Sequence, residues 1–375
     1  MKHSVKKALL LLLLLLLGGC VSAESWEAIR LLQDIDAAGG PSALKEQTPE
    51  PRRITERYSI DGRANVADFY HPNQPLGGAL LLVPGFTRAG KDDRRLVEAA
   101  RSLSRARFLV MVPEVAGSRE LRVRLEDAGT IADALRHLQR SQPAAAARGF
   151  GLAAVSYAVG LSVLAALEVE ETARPDFLVS VGGYYDTNAL VTYATTGYYR
   201  LPGSSHWRRG ETLPRAKWIF LASNAAVLAD ERDRRRLQAV VERCFEGCEP
   251  DIAALARELG PEGRALLKLV TNTDPARVST LLVALPETVR QQMARLSLSR
   301  RNLSPLTGRL ILVHGRHDPL VPYSESVALA DTVSGSELFL IDGFSHAAPD
   351  AVSWAGKLQL VSVIQAVLAR RAPAP

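Results

Sequence analysis

Short aliphatic runs alternate with amphipathic segments along most of the chain, which predicts a sheet flanked by helices. Because nearly continuous aliphatic strands are typical of sheets buried on both faces, we expect an α/β fold with a mostly parallel central sheet. The predicted strands are Ala79 to Val83, Phe108 to Val112, Phe150 to Val155, Phe177 to Val181, Leu310 to Val313 and Leu338 to Ile341. The predicted helices are Asp92 to Ala106, Leu125 to Gln139, Tyr157 to Leu167, Tyr323 to Val333 and a last one with apolar residues at Leu358, Val361, Ile364 and Leu368.

A β-hairpin is predicted ahead of this alternation. Tyr58 to Ile60 and Val66 to Tyr70 have the composition of short strands. Asp61-Gly62 lies between them, and this dipeptide is a common signal for a tight hairpin turn.

The alternation stops between Asp186 and Pro305, where the pattern is mainly helical. Asp274-Pro275 and Pro286 mark helix starts, whereas Trp218 to Leu221 fits a strand and a helix equally well. Because this insertion precedes the last two strands, it predicts a helical cap over the carboxyl edge of the sheet. That edge carries the ligand site in open parallel sheets.

The first residues have the composition of a secretion signal. Lys2, Lys6 and Lys7 precede an unbroken leucine run from Leu9 to Leu17. This run is too short for a membrane-spanning helix, which needs about 20 apolar residues.

The stretch Leu17-Gly18-Gly19-Cys20 resembles the lipobox of bacterial lipoproteins. The resemblance implies removal of residues 1–19, acylation of Cys20 and a lipid anchor in the bacterial cell envelope. Val21 follows the cysteine where an aspartate would favour the inner membrane, so the outer membrane, facing the periplasm, is the implied destination. The alternative is cleavage near Ala23, which leaves a soluble periplasmic protein.

The chain of 375 residues exceeds the roughly 250 to 300 at which a single core stops growing, so an extra module is expected. A short helix from Trp26 to Ile35 is followed by the breakers Gly39-Gly40-Pro41 and Thr48-Pro49. The predicted organisation is a signal peptide (1–19), a tether (20–54), the first part of the core (55–186), the helical cap (187–305) and the second part of the core (306–375).

Charge does not indicate a nucleic-acid partner. The formal net charge is +6, and it falls to +3 without the leader, which holds three lysines and no acid. The one dense arginine cluster alternates with carboxylates, which is typical of a solvated helix face. Its members are Asp230, Glu231, Arg232, Asp233, Arg234, Arg235 and Arg236.

Two cysteines remain in the body of the chain, Cys244 and Cys248. In an oxidising compartment they can form a small local disulfide, and the alternative is a pair of reduced thiols. No sequence feature places a histidine beside them, so neither is a candidate nucleophile.

Three residues with catalytic chemistry follow predicted strands. Ser156 lies between a strand and a helix, and Asp318 and His346 lie just beyond the last two strands. A serine hydroxyl is a poor nucleophile until an imidazole takes its proton, and the imidazole needs a carboxylate to fix its tautomer and stabilise its cation. This order therefore predicts Ser156 as nucleophile, His346 as general base and Asp318 as the orienting acid.

These features resemble the α/β-hydrolase fold family over about residues 55 to 370. The order serine, aspartate, histidine and the positions at strand ends both match that family. The resemblance is carried by Ala154-Val155-Ser156-Tyr157-Ala158, by His314-Gly315-Arg316-His317-Asp318-Pro319 and by Gly343-Phe344-Ser345-His346.

The same resemblance implies that the backbone N–H groups of Phe86 and Tyr157 form the oxyanion hole. Two departures from the family pattern stand beside it. Ala154 and Ala158 replace the glycines usual on either side of the nucleophile, and Pro84 stands where histidine often precedes the glycine of the oxyanion loop. Proline in place of histidine at position 84 leaves the backbone N–H of Phe86 present as a donor.

The polar residues allow other assignments. Asp186 is the alternative orienting acid, since a carboxylate one strand away can also reach the histidine. Glu114, at another strand end, is expected to be a loop residue. No cofactor signature and no helical i, i+4 histidine pair is present, so neither a cofactor nor a metal is predicted. A metal site would have to use His314, His317, Asp318 and His346.

The sequence thus predicts a serine hydrolase that cleaves an ester or related acyl bond in a small-molecule substrate through an acyl-enzyme. Thioester and peptide bonds remain open, because their cleavage uses the same chemistry. The alternative from another class is a catalytically inactive, hydrolase-like binding or scaffold protein of the envelope. An aromatic group near the start of the cap suits either a substrate pocket or cap packing: Tyr184, Tyr185, Tyr193, Tyr198, Tyr199 and Trp207.

Overall fold

The computed structural model describes residues 22–247, 250–346 and 352–373. The first part contains α1 (Ala23–Asp36), α2 (Ala43–Gln47), β1 (Arg52–Ile60), β2 (Arg63–His71), β3 (Gly78–Val83), α3 (Arg94–Arg105), β4 (Phe108–Pro113), α4 (Ala116–Glu120), α5 (Glu126–Ser141), α6 (Pro143–Ala146), β5 (Phe150–Val155), α7 (Tyr157–Glu168) and β6 (Phe177–Val181). The middle part contains α8 (Thr187–Thr196), β7 (Tyr198–Tyr199), β8 (Arg208–Arg209), α9 (Arg215–Ala225), α10 (Glu231–Phe245), α11 (Ile252–Glu258), α12 (Pro261–Val270), α13 (Val278–Val283) and α14 (Glu287–Leu296). The last part contains β9 (Leu310–Gly315), α15 (Ser324–Thr332), β10 (Glu337–Ile341) and α16 (Trp354–Leu368).

The central sheet has the order β1-β2-β4-β3-β5-β6-β9-β10 in the part of the chain that the structure describes. Strands β1 and β2 are antiparallel to each other, β2 is antiparallel to β4, and every other neighbouring pair is parallel. Strands β3, β4 and β9 are buried along their whole length, as their aliphatic composition requires. The predicted fold class, a mostly parallel sheet flanked by helices with a largely helical cap, is confirmed.

The register brings the carboxyl ends of the parallel strands to one edge. Val83 pairs with Ala154, Val155 with Val181, and Ile341 with Gly315. Loops that follow β3, β5, β6, β9 and β10 therefore meet above this edge. All three predicted catalytic residues belong to these loops.

The hairpin of β1 and β2 turns at Asp61 and Gly62, as predicted. Both residues have positive φ, 48° and 78°, the combination that a tight turn between twisted strands requires. The two strands are longer than predicted, since their polar ends pair in register from Arg52 with His71 to Ile60 with Arg63.

The structure differs from the predicted tether over residues 20–54. From Ala23 onward this segment is part of the packed body, because α1 buries Ala28 and Leu31 among residues of α3 and α16. Asp34 of the same helix is buried and forms an ion pair of 2.6 Å with Lys45 of α2. Residue Cys20, the expected lipidation site, and the leader lie outside the described residues.

The cap forms its own hydrophobic cluster, which includes Trp218, Leu237, Leu266 and Val289. Trp218 to Leu221, left undecided by the sequence, belongs to helix α9. The two-stranded sheet of β7 and β8 was not predicted.

Cys248, one of the two cysteines of the possible disulfide, lies outside the described residues. None of the helices in the described ranges combines the length and apolar character that crossing a bilayer demands.

Candidate active site

Ser156 occupies a strained turn between β5 and α7. Its φ of 61° and ψ of −131° form a combination that residues with a side chain rarely adopt. Such backbone strain costs about 1 to 3 kcal/mol and persists only where the surroundings impose it. The Ser156 N–H donates to the carbonyl of Val181 at 2.8 Å, which fixes the turn to the next strand. The hydroxyl is consequently presented at the carboxyl edge of the sheet.

Two glycines near this turn, which the sequence analysis did not name, allow neighbouring side chains to pack directly against the backbone. A Cβ on Gly160 would lie 2.3 Å from the ring of Tyr184, and one on Gly183 would lie 2.5 Å from Cγ1 of Val159. Ala154 and Ala158, which replace the glycines usual in the family, are fully buried. The turn thus forms with alanine at both positions.

The structure brings the three predicted catalytic side chains into one hydrogen-bonded chain. The His346 Nε2 atom lies 2.6 Å from the Oγ of Ser156, and its Nδ1 atom lies 2.7 Å from Oδ2 of Asp318. Residues 156, 318 and 346 are far apart in sequence, so only the sheet edge unites them. This geometry suits a histidine that takes the serine proton while the carboxylate holds its tautomer.

Asp318 is held as an ionised acceptor. Its side chain is only 1% exposed, and its Oδ1 atom accepts the N–H groups of Leu320 and Val321 at 2.8 and 3.0 Å. Burial by itself raises the pKa of this carboxyl, but hydrogen bonds from His314 and His346 outweigh it and bring the pKa below its usual value. The carboxylate therefore stays charged and able to stabilise an imidazolium.

Residues 316–323, between β9 and α15, carry Asp318 and are called the acid loop. His314, which the sequence analysis named only as a ligand of a metal site that it did not predict, is buried and supports this loop. Its Nδ1 atom lies 2.7 Å from Oγ of Ser326, and its Nε2 atom lies 2.9 Å from the carbonyl of Val321 and 3.4 Å from Oδ2 of Asp318. Both ring nitrogens thus have protein partners. Within the described ranges no group of three or more metal-ligating side chains is arranged around an ion site.

Gly182 is a site residue that the sequence reasoning missed. It directly follows β6, has φ of +62°, and a Cβ placed on it would lie 3.2 Å from Oδ2 of Asp318 and 3.3 Å from Nδ1 of His346. The histidine–aspartate pair therefore occupies space that any side chain at this position would enter. A glycine immediately after a buried strand was the available signal.

Phe86 and Tyr157, the predicted oxyanion donors, both line the same cavity as Ser156. Their rings stack with centroids 3.7 Å apart and an interplanar angle of 6°. The loop of Phe86 is held by a bond from the Thr87 N–H to the carbonyl of Ser118 at 3.1 Å. The Phe86 N–H has no acceptor among the described residues, and Tyr157 begins α7, where N–H groups have no partner within the helix. Both donors remain available to an oxyanion.

A cavity of about 970 Å³ extends from Ser156 and His346 beneath the cap. Its walls are mostly apolar and come from core and cap alike, with Leu190, Ile219, Phe220, Met293, Leu296 and Val321 among them. Arg88 and Glu242, which also line it, form an exposed ion pair of 2.9 Å between the core loop and α10. The cavity is suited to an apolar group of a ligand whose polar part lies beside Ser156.

The other candidate residues have structural roles. Asp186 caps α8 by accepting the N–H groups of Asn188 and Ala189 at 2.8 and 2.9 Å. Glu114 lies 3.5 Å from Arg119. Of the aromatic group at the start of the cap, Tyr184 lines the cavity, and Tyr193 donates to the Asp318 carbonyl at 2.8 Å.

Comparisons with known proteins give distant structural similarities. No family model and no curated protein matches the chain. The Pyrococcus horikoshii acylaminoacyl peptidase superposes with 14% identity and a TM-score of 0.44 over 81% of this chain and 40% of the peptidase, so the chain spans about two fifths of that protein. The Francisella virulence factor BioJ gives 14% identity, a TM-score of 0.47 and 88% of both chains. An esterase from Pyrobaculum calidifontis gives 12% identity and a TM-score of 0.47, and the superposition covers 92% of both chains. Similarity at this level does not determine activity, which has to be inferred from the side chains.

Gly182→Ala is expected to lower kcat/KM by about 100-fold, because the new methyl group displaces the Asp318–His346 pair. Gly308→Ala is the matched control, since Gly308 has a similar φ of +70° but nothing within 4 Å of an added Cβ. Steady-state hydrolysis and thermal unfolding of both variants separate backbone strain from displacement. Equal activity of the two variants would contradict the role assigned to Gly182.

Glu325, beneath the site, makes stability depend on pH. Its carboxyl accepts the N–H groups of Tyr185 and Asp186 at 2.9 and 2.7 Å, and burial, partly opposed by these bonds, raises its pKa to about 7. The folded state thus binds the proton more tightly than the unfolded state. Its stabilising effect is complete below the ordinary pKa of about 4.5 and is lost as the pH rises through 7.

Glu325→Gln should therefore unfold with a free energy that changes less between pH 5 and pH 8 than that of the unchanged chain. The glutamine oxygen can still accept a backbone N–H but carries no charge. Urea unfolding at several pH values measures this, with the exposed Glu211→Gln as control. A wild-type pH dependence that survives in Glu325→Gln would refute the assignment.

Proposed function

We propose that this chain is a serine hydrolase that cleaves an ester or related acyl bond through an acyl-enzyme on Ser156. The observation that carries the proposal is the hydrogen-bonded chain from Ser156 through His346 to Asp318 at the opening of an apolar cavity. A serine that only filled a tight corner would not need an imidazole 2.6 Å from its hydroxyl oxygen.

In the first half of the reaction, Oγ of Ser156 attacks the acyl carbon while Nε2 of His346 takes the hydroxyl proton. The carbonyl oxygen becomes an oxyanion that accepts the N–H groups of Phe86 and Tyr157, each contributing on the order of 3 kcal/mol. The imidazolium then gives its proton to the leaving alcohol, and the acyl group stays on the serine. Asp318 keeps its charge throughout.

In the second half, water replaces the alcohol. His346 removes a proton from the water, the resulting hydroxide attacks the acyl carbon, and a second oxyanion forms in the same place. Its collapse breaks the bond to Oγ of Ser156, which recovers its proton from the imidazolium. The products are a carboxylic acid and the free enzyme.

The cavity favours a substrate with an apolar acyl or alcohol part. Its walls beyond the serine are largely aliphatic and aromatic, and about 970 Å³ exceeds what an acetyl group fills. We therefore expect hydrolysis to improve as the acyl chain lengthens, until the chain reaches the far wall near α9.

Ser156→Ala should lower turnover by roughly 10⁴ to 10⁶ and abolish labelling by a fluorophosphonate probe. A series of chromogenic esters of increasing acyl length provides the rate measurement. Ser205→Ala, an exposed serine on the cap, is the control and should label normally. Unchanged turnover in Ser156→Ala, or absence of labelling in the unchanged chain, would favour an inactive binding protein instead.

The proposed location is the bacterial cell envelope, through an acylated Cys20. The support from the fold is indirect: α1 begins at Ala23 and packs onto the body, so few residues separate an anchor from the folded protein. At about 3.5 Å per residue, such a link holds the body close to the bilayer.

Cys20→Ala should shift the protein out of the membrane fraction of expressing bacterial cells, because it removes the acylated side chain. Intact mass measurement of the N-terminal peptide should show the acyl groups in the unchanged chain alone. Replacement of the nearby Ser22 by alanine serves as the control. The membrane fraction is washed at about 0.5 M salt, which removes electrostatically bound protein. Membrane association of Cys20→Ala that resists this wash in a chain whose leader has been removed, or an unmodified cysteine in the unchanged chain, would eliminate the lipid anchor while leaving the hydrolase proposal intact.

A further inference from the structure

The cap carries a small exposed structure built from aromatic residues and arginines. Strands β7 and β8 pair Tyr198 with Arg209 and Tyr199 with Arg208. Two residues close to it in space, Arg316 and Tyr323, come from the loops that follow β9. We call residues 198–209 together with these two the basic hairpin.

Arginine side chains of the basic hairpin lie over aromatic rings. The guanidinium carbon of Arg200 is 3.7 Å from the ring centroid of Trp207, and that of Arg209 is 5.9 Å from Tyr198. Arg208 donates to the Tyr323 hydroxyl at 3.3 Å. Such contacts orient a guanidinium without neutralising its charge.

Carboxylates are scarce around these cations. Among the described residues, Arg200, Arg208 and Arg209 have no carboxylate within ion-pair distance, whereas Arg316 lies 3.3 Å from Asp342. Glu211, two residues beyond β8, is the acid nearest to the hairpin in sequence. Successive side chains of a strand point to opposite faces, so Arg209 lies with Tyr198 on one face of the two-stranded sheet and Arg208 lies with Tyr323 on the other. Arg200 and Arg209, both exposed and both held against aromatic rings, therefore form a surface that favours phosphate.

We infer that the basic hairpin is a docking surface for a bilayer of anionic phospholipid. Arginines attract lipid phosphates, and Trp and Tyr rings are favoured at the membrane interface. Nucleic acid fits this surface less well, because bases stack on open aromatic faces and the ring of Trp207 is already covered by Arg200.

The position of the hairpin connects docking to the cavity. Tyr193, at the end of the helix that leads into β7, donates to the carbonyl of Asp318, and the N–H of Leu213 donates to the carbonyl of Pro319 at 3.0 Å. Arg215, which follows β8 closely, lines the cavity. A bilayer held by the hairpin would thus lie beside the loop that carries the catalytic acid.

Vesicle sedimentation tests this inference without depending on hydrolysis. The protein is the chain from Ser22 onward with Ser156→Ala, so that no lipid can be cleaved and neither the leader nor Cys20 contributes. Vesicles of phosphatidylcholine with about 30% phosphatidylglycerol are compared with phosphatidylcholine alone. We expect binding only to the anionic vesicles, with loss of binding at about 0.5 M salt.

The combined variant R200S/R209S should lower the partition coefficient about tenfold. The matched control R232S/R257S removes the same charge from exposed arginines elsewhere on the cap and should change it much less. Equal thermal midpoints verify folding of both. Equal losses in the two variants, binding to neutral vesicles, or stronger binding to a single-stranded oligonucleotide than to anionic vesicles would each overturn the inference.

Discussion

The hydrogen bond between His346 and the buried carboxylate of Asp318 is the interaction on which the rest of the site depends. A carboxylate with 1% exposed surface is costly unless every oxygen is bonded, and here two backbone N–H groups and the histidine meet that need. The two backbone donors lie on the same short loop after β9 as Asp318, and the histidine follows β10. Gly182 leaves space for the pair, and His314 supports the same loop from within.

The cap is more than a cover, because it holds the acid loop from the opposite side. Tyr193 binds the backbone carbonyl of Asp318, and Leu213 binds that of Pro319. Strand β9 fixes the loop from below through the sheet, while these two cap residues fix it from above. Movement of the cap is therefore expected to alter both the width of the cavity and the position of Asp318.

Local patterns were enough to predict the sheet and the candidate triad, and tertiary contacts determined what they missed. Ser156 directly follows an aliphatic run, and Asp318 and His346 come a few residues after two others, so each could be placed beyond a strand end without knowledge of its neighbours. The packing of α1 and the role of His314 depend on distant segments and could not be read locally. A local pattern can also mislead. The spacing of Leu358 with the other apolar residues of α16 predicted that it lies on an apolar face, yet Leu358 is 67% exposed.

The turn at Ser156 also shows how a fold can tolerate alanine where glycine is usual. Close approach of backbone is needed somewhere along the first turns of α7, and in this chain it occurs at Gly160, against the ring of Tyr184. The Tyr184 hydroxyl in turn donates to the carbonyl of Leu296 at the end of the cap at 3.3 Å. The tight packing around Ser156 thus involves residues of the strand, the helix and the cap. Ala154 and Ala158 therefore need only be small and buried.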